Sequence, residues 1–153
     1  TFTAPAKVPD IECYYENFQS ICEVTMLTGR DQWFNEGQPV MRHLREFENK
    51  NTSVPSYCLF VAPRIHNDTI NTFWFSVKYE YEGAKQKIIP ITISELIKLL
   101  EVVKSAKNNG VRISHTDFMN FYDRCAAIEN IVTSTMWREH IANEIKCFKE
   151  MYI

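Results

Sequence analysis

Asp10, Glu23, Glu36 and His43 are the side chains whose types and spacing could do chemistry together. Asp10 follows Pro9 and opens a hairpin-like segment, Ile11 to Tyr15 and Phe18 to Met26, whose return arm carries Glu23-Val24-Thr25. With the turn centred on Glu16-Asn17, antiparallel pairing sets Asp10 opposite Glu23, and opposed side chains share a face with Cβ atoms about 5 Å apart. Two carboxylates that close repel each other unless a cation joins them. Mg²⁺ takes hard oxygen ligands, commonly one or two carboxylates with waters and substrate phosphate oxygens, so Asp10, Glu23 and the backbone carbonyl of Val24 form a ligand set for one or two ions. The chemistry is metal-assisted hydrolysis of a phosphodiester, with Glu36 or His43 positioning or deprotonating the water.

Side chains alternate along a strand, which puts Asp10, Glu12, Tyr14, Gln19, Glu23 and Thr25 on one face of the hairpin. Ile11, Cys13, Tyr15, Phe18, Cys22, Val24 and Met26 take the other, which is apolar and is expected to be the face that packs against a helix. Beyond the hairpin, Gly37 and Pro39 mark the approach to a helix and its first turn, with Val40, Leu44 and Phe47 as its apolar stripe. Glu36 then stands just ahead of that helix and His43 one turn inside it, both turned toward the acids. A turn acid and a solvated strand position would leave the same two letters at 10 and 23, so spacing alone does not decide the matter.

Longer runs are more selective. Lys7-Val8-Pro9-Asp10-Ile11-Glu12-Cys13-Tyr14-Tyr15, Ile21-Cys22-Glu23-Val24-Thr25-Met26-Leu27-Thr28, Glu36-Gly37-Gln38-Pro39-Val40 with Arg42-His43, and Tyr57-Cys58-Leu59-Phe60-Val61-Ala62-Pro63 resemble the AlwI-type branch of the type IIS restriction endonucleases. The resemblance continues through Ile65-His66-Asn67-Asp68-Thr69, Phe73-Trp74-Phe75 and Ile89-Pro90-Ile91-Thr92 and is closest to nicking endonucleases of the BstNBI type. It implies an α/β fold with a PD-ExK nuclease-like core, a mixed central sheet whose metal-site hairpin is flanked by helices. It also implies that Asp10 and Glu23 are the two central metal-binding acids, Glu36 a further acidic position, and His43 a neighbour on the helix beside the metal. Thr25 departs from the pattern, because the wider class places lysine there. The role of that lysine would fall to Glu36, His43 or a second metal.

The class also opens with a helix bearing another site carboxylate, whereas only Thr1 to Lys7 precede the hairpin here. The chain is therefore expected to be a single catalytic domain, residues 1–153, from the C-terminal part of a longer protein whose N-terminal domain recognises the DNA sequence. The resemblance further implies double-stranded DNA as substrate, one strand cut per visit, weak homodimerisation at most, and a small nuclease subunit as a possible partner for cutting both strands. The alternative is a catalytically silent, nuclease-like interaction subunit.

Composition agrees with a globular domain. The chain has 153 residues, 45% of them hydrophobic and only 4 glycines, enough to bury roughly 70% of its unfolded surface. No run approaches the ~20 apolar residues of a membrane span and no signal peptide opens the chain, so a soluble, cytoplasmic protein is expected. Cys13, Cys22, Cys58, Cys125 and Cys147 include no CxxC pair and read as buried free thiols, leaving a Cys58–His66 hydrolase as a distant reading. A net charge of −2 argues against strong DNA binding by this domain alone; Arg30, Arg64, Lys78, Lys85 and Lys87 are the candidate phosphate contacts.

The remainder reads as scaffold. A buried strand is expected over Tyr57–Ala62, a helix capped by Asn67 or Asp68 and reaching Tyr79, and a strand over Lys87–Ile93. A helix capped by Ser94 with Leu96, Leu99, Leu100 and Val103 inward should end near Asn108-Asn109-Gly110, followed by helices near Thr116–Ala127 and Ser134–Met151. If an upstream carboxylate completes the site, a form extended upstream should nick plasmid DNA faster than this chain alone. Parallel time courses check this, and equal rates would refute it.

Overall fold

The hairpin forms in the expected register. In the computed structural model, which describes residues 9–153, β1 (Ile11–Tyr14) pairs antiparallel with β2 (Gln19–Val24), setting Ile11 opposite Cys22 and Tyr14 opposite Gln19. Thr1 to Val8, including the Lys7-Val8 start of the first motif, lie outside the described residues. β2 runs parallel to β3 (Ser56–Ala62), and β3 parallel to β4 (Ile88–Thr92), giving a mixed sheet of order β1-β2-β3-β4. Parallel neighbours need crossovers. These are α1 (Arg30–Lys50) and α2 (Asn67–Lys78), which pack against each other on one face of the sheet. α3 (Ile93–Asn108) and α4 (His115–Ala126) cover the other face, and α5 (Ser134–Tyr152) lies against α2, α3 and α4. The fold is thus α/β, a mixed four-stranded sheet flanked by helices.

β3 is apolar nearly throughout because both of its faces are covered. Phe60 meets Phe73 of α2 edge-on at a centroid distance of 5.1 Å, while Tyr57, on the opposite side of the strand, meets Tyr122 of α4 at 5.7 Å. Pro90 is tolerated in β4 because β4 is an edge strand, where one row of backbone groups has no ladder partner.

Several sequence expectations need correction. The polar face of the hairpin is not open: Gln19, Ile21, Glu23 and Thr25 lie under α1, while the apolar face packs Tyr15 and Phe18 against His115 of α4 as expected and leaves Val24 and Met26 exposed. α1 begins at Arg30, so Glu36, Gly37 and Pro39 are interior to the helix. Pro39 deprives the Asn35 carbonyl of its intrahelical donor, a cost of about 3 kcal/mol that is set against full burial of Val40, Leu44 and Phe47. Gly37 is needed for a different reason, since a Cβ there would stand 3.1 Å from the Trp33 ring.

Helix caps also differ. His66, rather than Asn67 or Asp68, caps α2 through its Nδ1, which accepts from the Asp68 N–H at 3.1 Å. Thr92, rather than Ser94, caps α3 in a reciprocal box with Glu95. Leu99, Val102 and Ala106 face inward and Leu100 is exposed. The two C-terminal helices carry the expected core, with Phe121, Cys125, Trp137, Ile141, Ile145 and Phe148 all buried.

One buried polar side chain holds the loops beneath the strand ends. Gln32, fully buried at the start of α1, donates to the carbonyls of Leu27 (2.8 Å) and Arg64 (2.7 Å) and accepts from the His66 N–H (2.8 Å). It therefore ties the β2–α1 loop to the β3–α2 loop. Removing it would leave three backbone groups without partners in a region closed to water. Gln32→Ala should cost about 2–4 kcal/mol, read as a lower urea midpoint at unchanged slope; an unchanged midpoint would show that water replaces the amide freely.

Candidate active site

The site grows from three pieces of chain. Asp10 sits in the bend before β1, where continuation of the hairpin register places it across from Glu23, and its Oδ2 accepts from the Val24 N–H at 2.7 Å. That bond fixes the exposed carboxylate on the end of β2. Glu23, near the end of β2, turns its side chain into the sheet–α1 interface and keeps only 4% of its surface exposed. α1 supplies the rest: Glu36 and His43 are seven residues apart, close to two turns, and so lie on one stripe of the helix.

His43 Nδ1 lies 2.8 Å from Glu23 Oε1. A buried carboxylate requires such a partner, because loss of hydration disfavours its charged form. Glu23 is pushed up to about 7, first by burial and then by the charges of Asp10 and Glu36, with the His43 contact opposing them. Glu36 is also raised, first by burial and then by Asp10, while His43 and a hydrogen bond from the Thr25 side chain pull the other way. All four predicted side chains thus influence one another across a single junction of hairpin and helix.

Among the described residues no three His, Cys, Asp or Glu side chains gather closely enough to hold a metal ion by themselves. Two carboxylates and the Val24 carbonyl remain as hard oxygen donors. This set suits Mg²⁺, which takes few protein ligands; burial is what chiefly raises Glu23 and Glu36, and the repulsion among the acids that adds to it is what a cation would relieve.

In the sequence Thr25 stands on the face of Glu23 and departs from the lysine of the wider class. The structure gives it a place: it is buried beside Glu36, and its Oγ1 also accepts from the Leu27 N–H at 3.2 Å. The alternation of β2 already sets Thr25 on the face of Glu23, but the contact with Glu36 needs the placement of α1. A cysteine hydrolase is excluded by placement. Cys58 is fully buried in β3, burial drives its thiol well up, and His66 is committed to capping α2. The expectation of buried thiols holds for Cys58 and Cys125, whereas Cys13, Cys22 and Cys147 are half-buried.

A family model described as AlwI restriction endonuclease matches residues 1–99. No curated protein matches the chain. Among solved structures, the chain is similar to the small subunit of the heterodimeric restriction endonuclease R.BspD6I, with a TM-score of 0.74 and 22% identity over 94% of this chain and 70% of that one. At that identity the likeness is one of fold.

The raised Glu23 makes stability depend on pH. Between its ordinary value of 4.5 and about 7 the folded state holds a proton that the unfolded state has lost, so stability should fall as pH rises through that window and stay lower above it. In EDTA, Glu23→Gln should flatten this fall and be more stable than the native chain at pH 8 by about 1–3 kcal/mol. Urea unfolding at pH 5 and pH 8 measures it; parallel pH profiles for the two proteins would contradict the reading.

Proposed function

The chain belongs to the AlwI restriction endonuclease family, and from that premise we propose that it is the cleavage domain of a Mg²⁺-dependent, site-specific DNA endonuclease of the type IIS or nicking kind. It hydrolyses a DNA phosphodiester near a sequence read by an N-terminal domain of the same protein. The observation that carries this reading is the convergence of Asp10, Glu23, Glu36 and His43 where the hairpin meets α1.

Asp10, Glu23 and the Val24 carbonyl would hold one or two Mg²⁺ ions. When bound, Mg²⁺ supplies charge to the phosphoryl oxygens and acidifies water. The chain's own side chains do the remainder. With Glu23 ionised, His43 donates Nδ1–H to it, which fixes the neutral tautomer and leaves Nε2 as a proton acceptor for the attacking water. Glu36, steadied by Thr25, orients that water from the same helix face. Thr25 thus contributes through a carboxylate where lysine would contribute a charge.

One such site cuts one strand, so cutting a duplex calls for a second. The structural neighbour is described as the small subunit of a heterodimer, and we extend to this chain a pairing of that kind, with another nuclease subunit supplying the second cut. Kinship with nicking endonucleases of the BstNBI type rests on the sequence motifs. Among the described residues no helix is long and apolar enough to cross a membrane, which accords with a cytoplasmic enzyme acting on DNA.

The departure at Thr25 favours one competing reading, a catalytically silent interaction subunit. Plasmid nicking in Mg²⁺ separates the two. Asp10→Ala and Glu23→Ala should abolish nicking while circular dichroism shows a retained fold, and His43→Gln should slow it by about 10²–10⁴. Undiminished nicking by Asp10→Ala would remove the site from the mechanism. No Mg²⁺-dependent nicking by the native chain, alone or extended upstream, would favour the silent module.

A further inference from the structure

Phosphate neutralisation supplies much of the affinity for DNA, yet the chain carries a net charge of −2 and its candidate site is acidic. The structure sorts the cations. Lys87 is 2.8 Å from Asp123, Lys78 Nζ donates to the Glu129 carbonyl at 2.8 Å, and Lys85 precedes β4, at the end of the sheet away from Glu23. Arg30 and Arg64 are placed differently. β2, β3 and β4 are parallel, so the chain leaves all three at one edge, the usual ligand side of an open α/β sheet. Glu23 lies near the end of β2 at that edge, Arg30 opens α1 and Arg64 follows β3.

Two further contacts fix this arrangement. Gln32 holds the Arg64 backbone against the first turn of α1 by its 2.7 Å bond to the Arg64 carbonyl. Arg138 of α5 donates to the Ile65 carbonyl at 2.7 Å and to Asn67 Oδ1 at 3.1 Å, which anchors a third guanidinium beside the same loop. Burial lowers the Arg138 pKa and the like charge of Arg64 lowers it further, against the attraction of Glu95. Arg30 pairs with Asp68 at 3.7 Å, but its side chain is 78% exposed. A pair so open to water holds weakly, leaving Arg30 able to exchange Asp68 for a phosphate.

We propose that Arg64 and Arg30, backed by Arg138, hold the phosphodiester backbone of the DNA strand that lies beside the Asp10–Glu23 junction. This rests on the nuclease reading for its substrate and adds the residues that position it. The guanidinium fork matches phosphate oxygens, and its charge does not titrate. An acidic site flanked by arginines on the loops at the same sheet edge would admit the backbone without relying on the net charge of the domain.

The test is fluorescence anisotropy of the chain on a fluorescein-labelled DNA duplex, with Ca²⁺ in place of Mg²⁺, over a series of salt concentrations. Arg64→Ala and Arg30→Ala should each weaken binding several-fold and lower the slope of log K against log salt by about 1. Lys104→Ala, an exposed charge on α3, should change neither. In Mg²⁺ nicking, the arginine variants should raise KM with kcat unchanged. No binding by the native chain at low salt, or an equal loss from Lys104→Ala, would overturn the proposal. Arginine-dependent binding without nicking by the chain, alone or extended upstream, would defeat the nuclease reading and leave the phosphate contact standing. Nicking with an unaltered KM in both arginine variants would do the reverse.

Discussion

A carboxylate held out of water is the constraint on which the rest of this structure depends. Glu23 points into the interface between the sheet and α1, where its charge is unfavourable without a partner, and His43 at 2.8 Å supplies one. That contact fits the rotation of α1 on the hairpin. Once His43 faces Glu23, helical periodicity brings Glu36 to the same stripe, where Thr25 of β2 meets it. Val40 and Leu44 on the same side of the helix are fully buried, so the packing that seals the core also aims the polar groups.

Burial of the acids costs stability. Desolvation and crowding raise Glu23 and Glu36, and groups perturbed in this way by burial together with specific neighbours are characteristic of functional sites. The outlay is met elsewhere, in the apolar layers on both sides of β3 and in Gln32, whose three hydrogen bonds clamp the loops at the sheet edge. The same clamp governs where Arg64 stands. Acidic junction and basic loops are therefore held by one framework, although they carry opposite charge.

Much of the site was legible in the sequence because a hairpin is a local object. The distance between Asp10 and Glu23 along the chain, with a turn at Glu16-Asn17, admits one register that pairs them, and period-two alternation follows. Glu36 and His43 were readable for a similar reason, as helical spacing links them wherever the helix starts. The start itself was misread. Gly37 and Pro39 carry the signature of a helix beginning, yet Trp33 requires a small residue at 37 and the apolar stripe sustains the helix through Pro39. Likewise, Ser94 is a good cap by type, but Thr92 forms the box because Glu95 stands at the position that returns the bond.

The sequence by itself determined the chemistry on offer: which carboxylates pair across the hairpin, which imidazole can reach them, the α/β class, and the kinship carried by its motifs. That the polar face of the hairpin is covered as well as the apolar one was decided only by tertiary structure. The cover is α1, which lies across β2 and β3 in the crossover between them. The grouping of Arg30, Arg64 and Arg138 was likewise out of reach of the sequence. It comes from the parallel run of β2, β3 and β4, which gathers loops distant along the chain at one edge, and no local pattern of residues encodes that proximity.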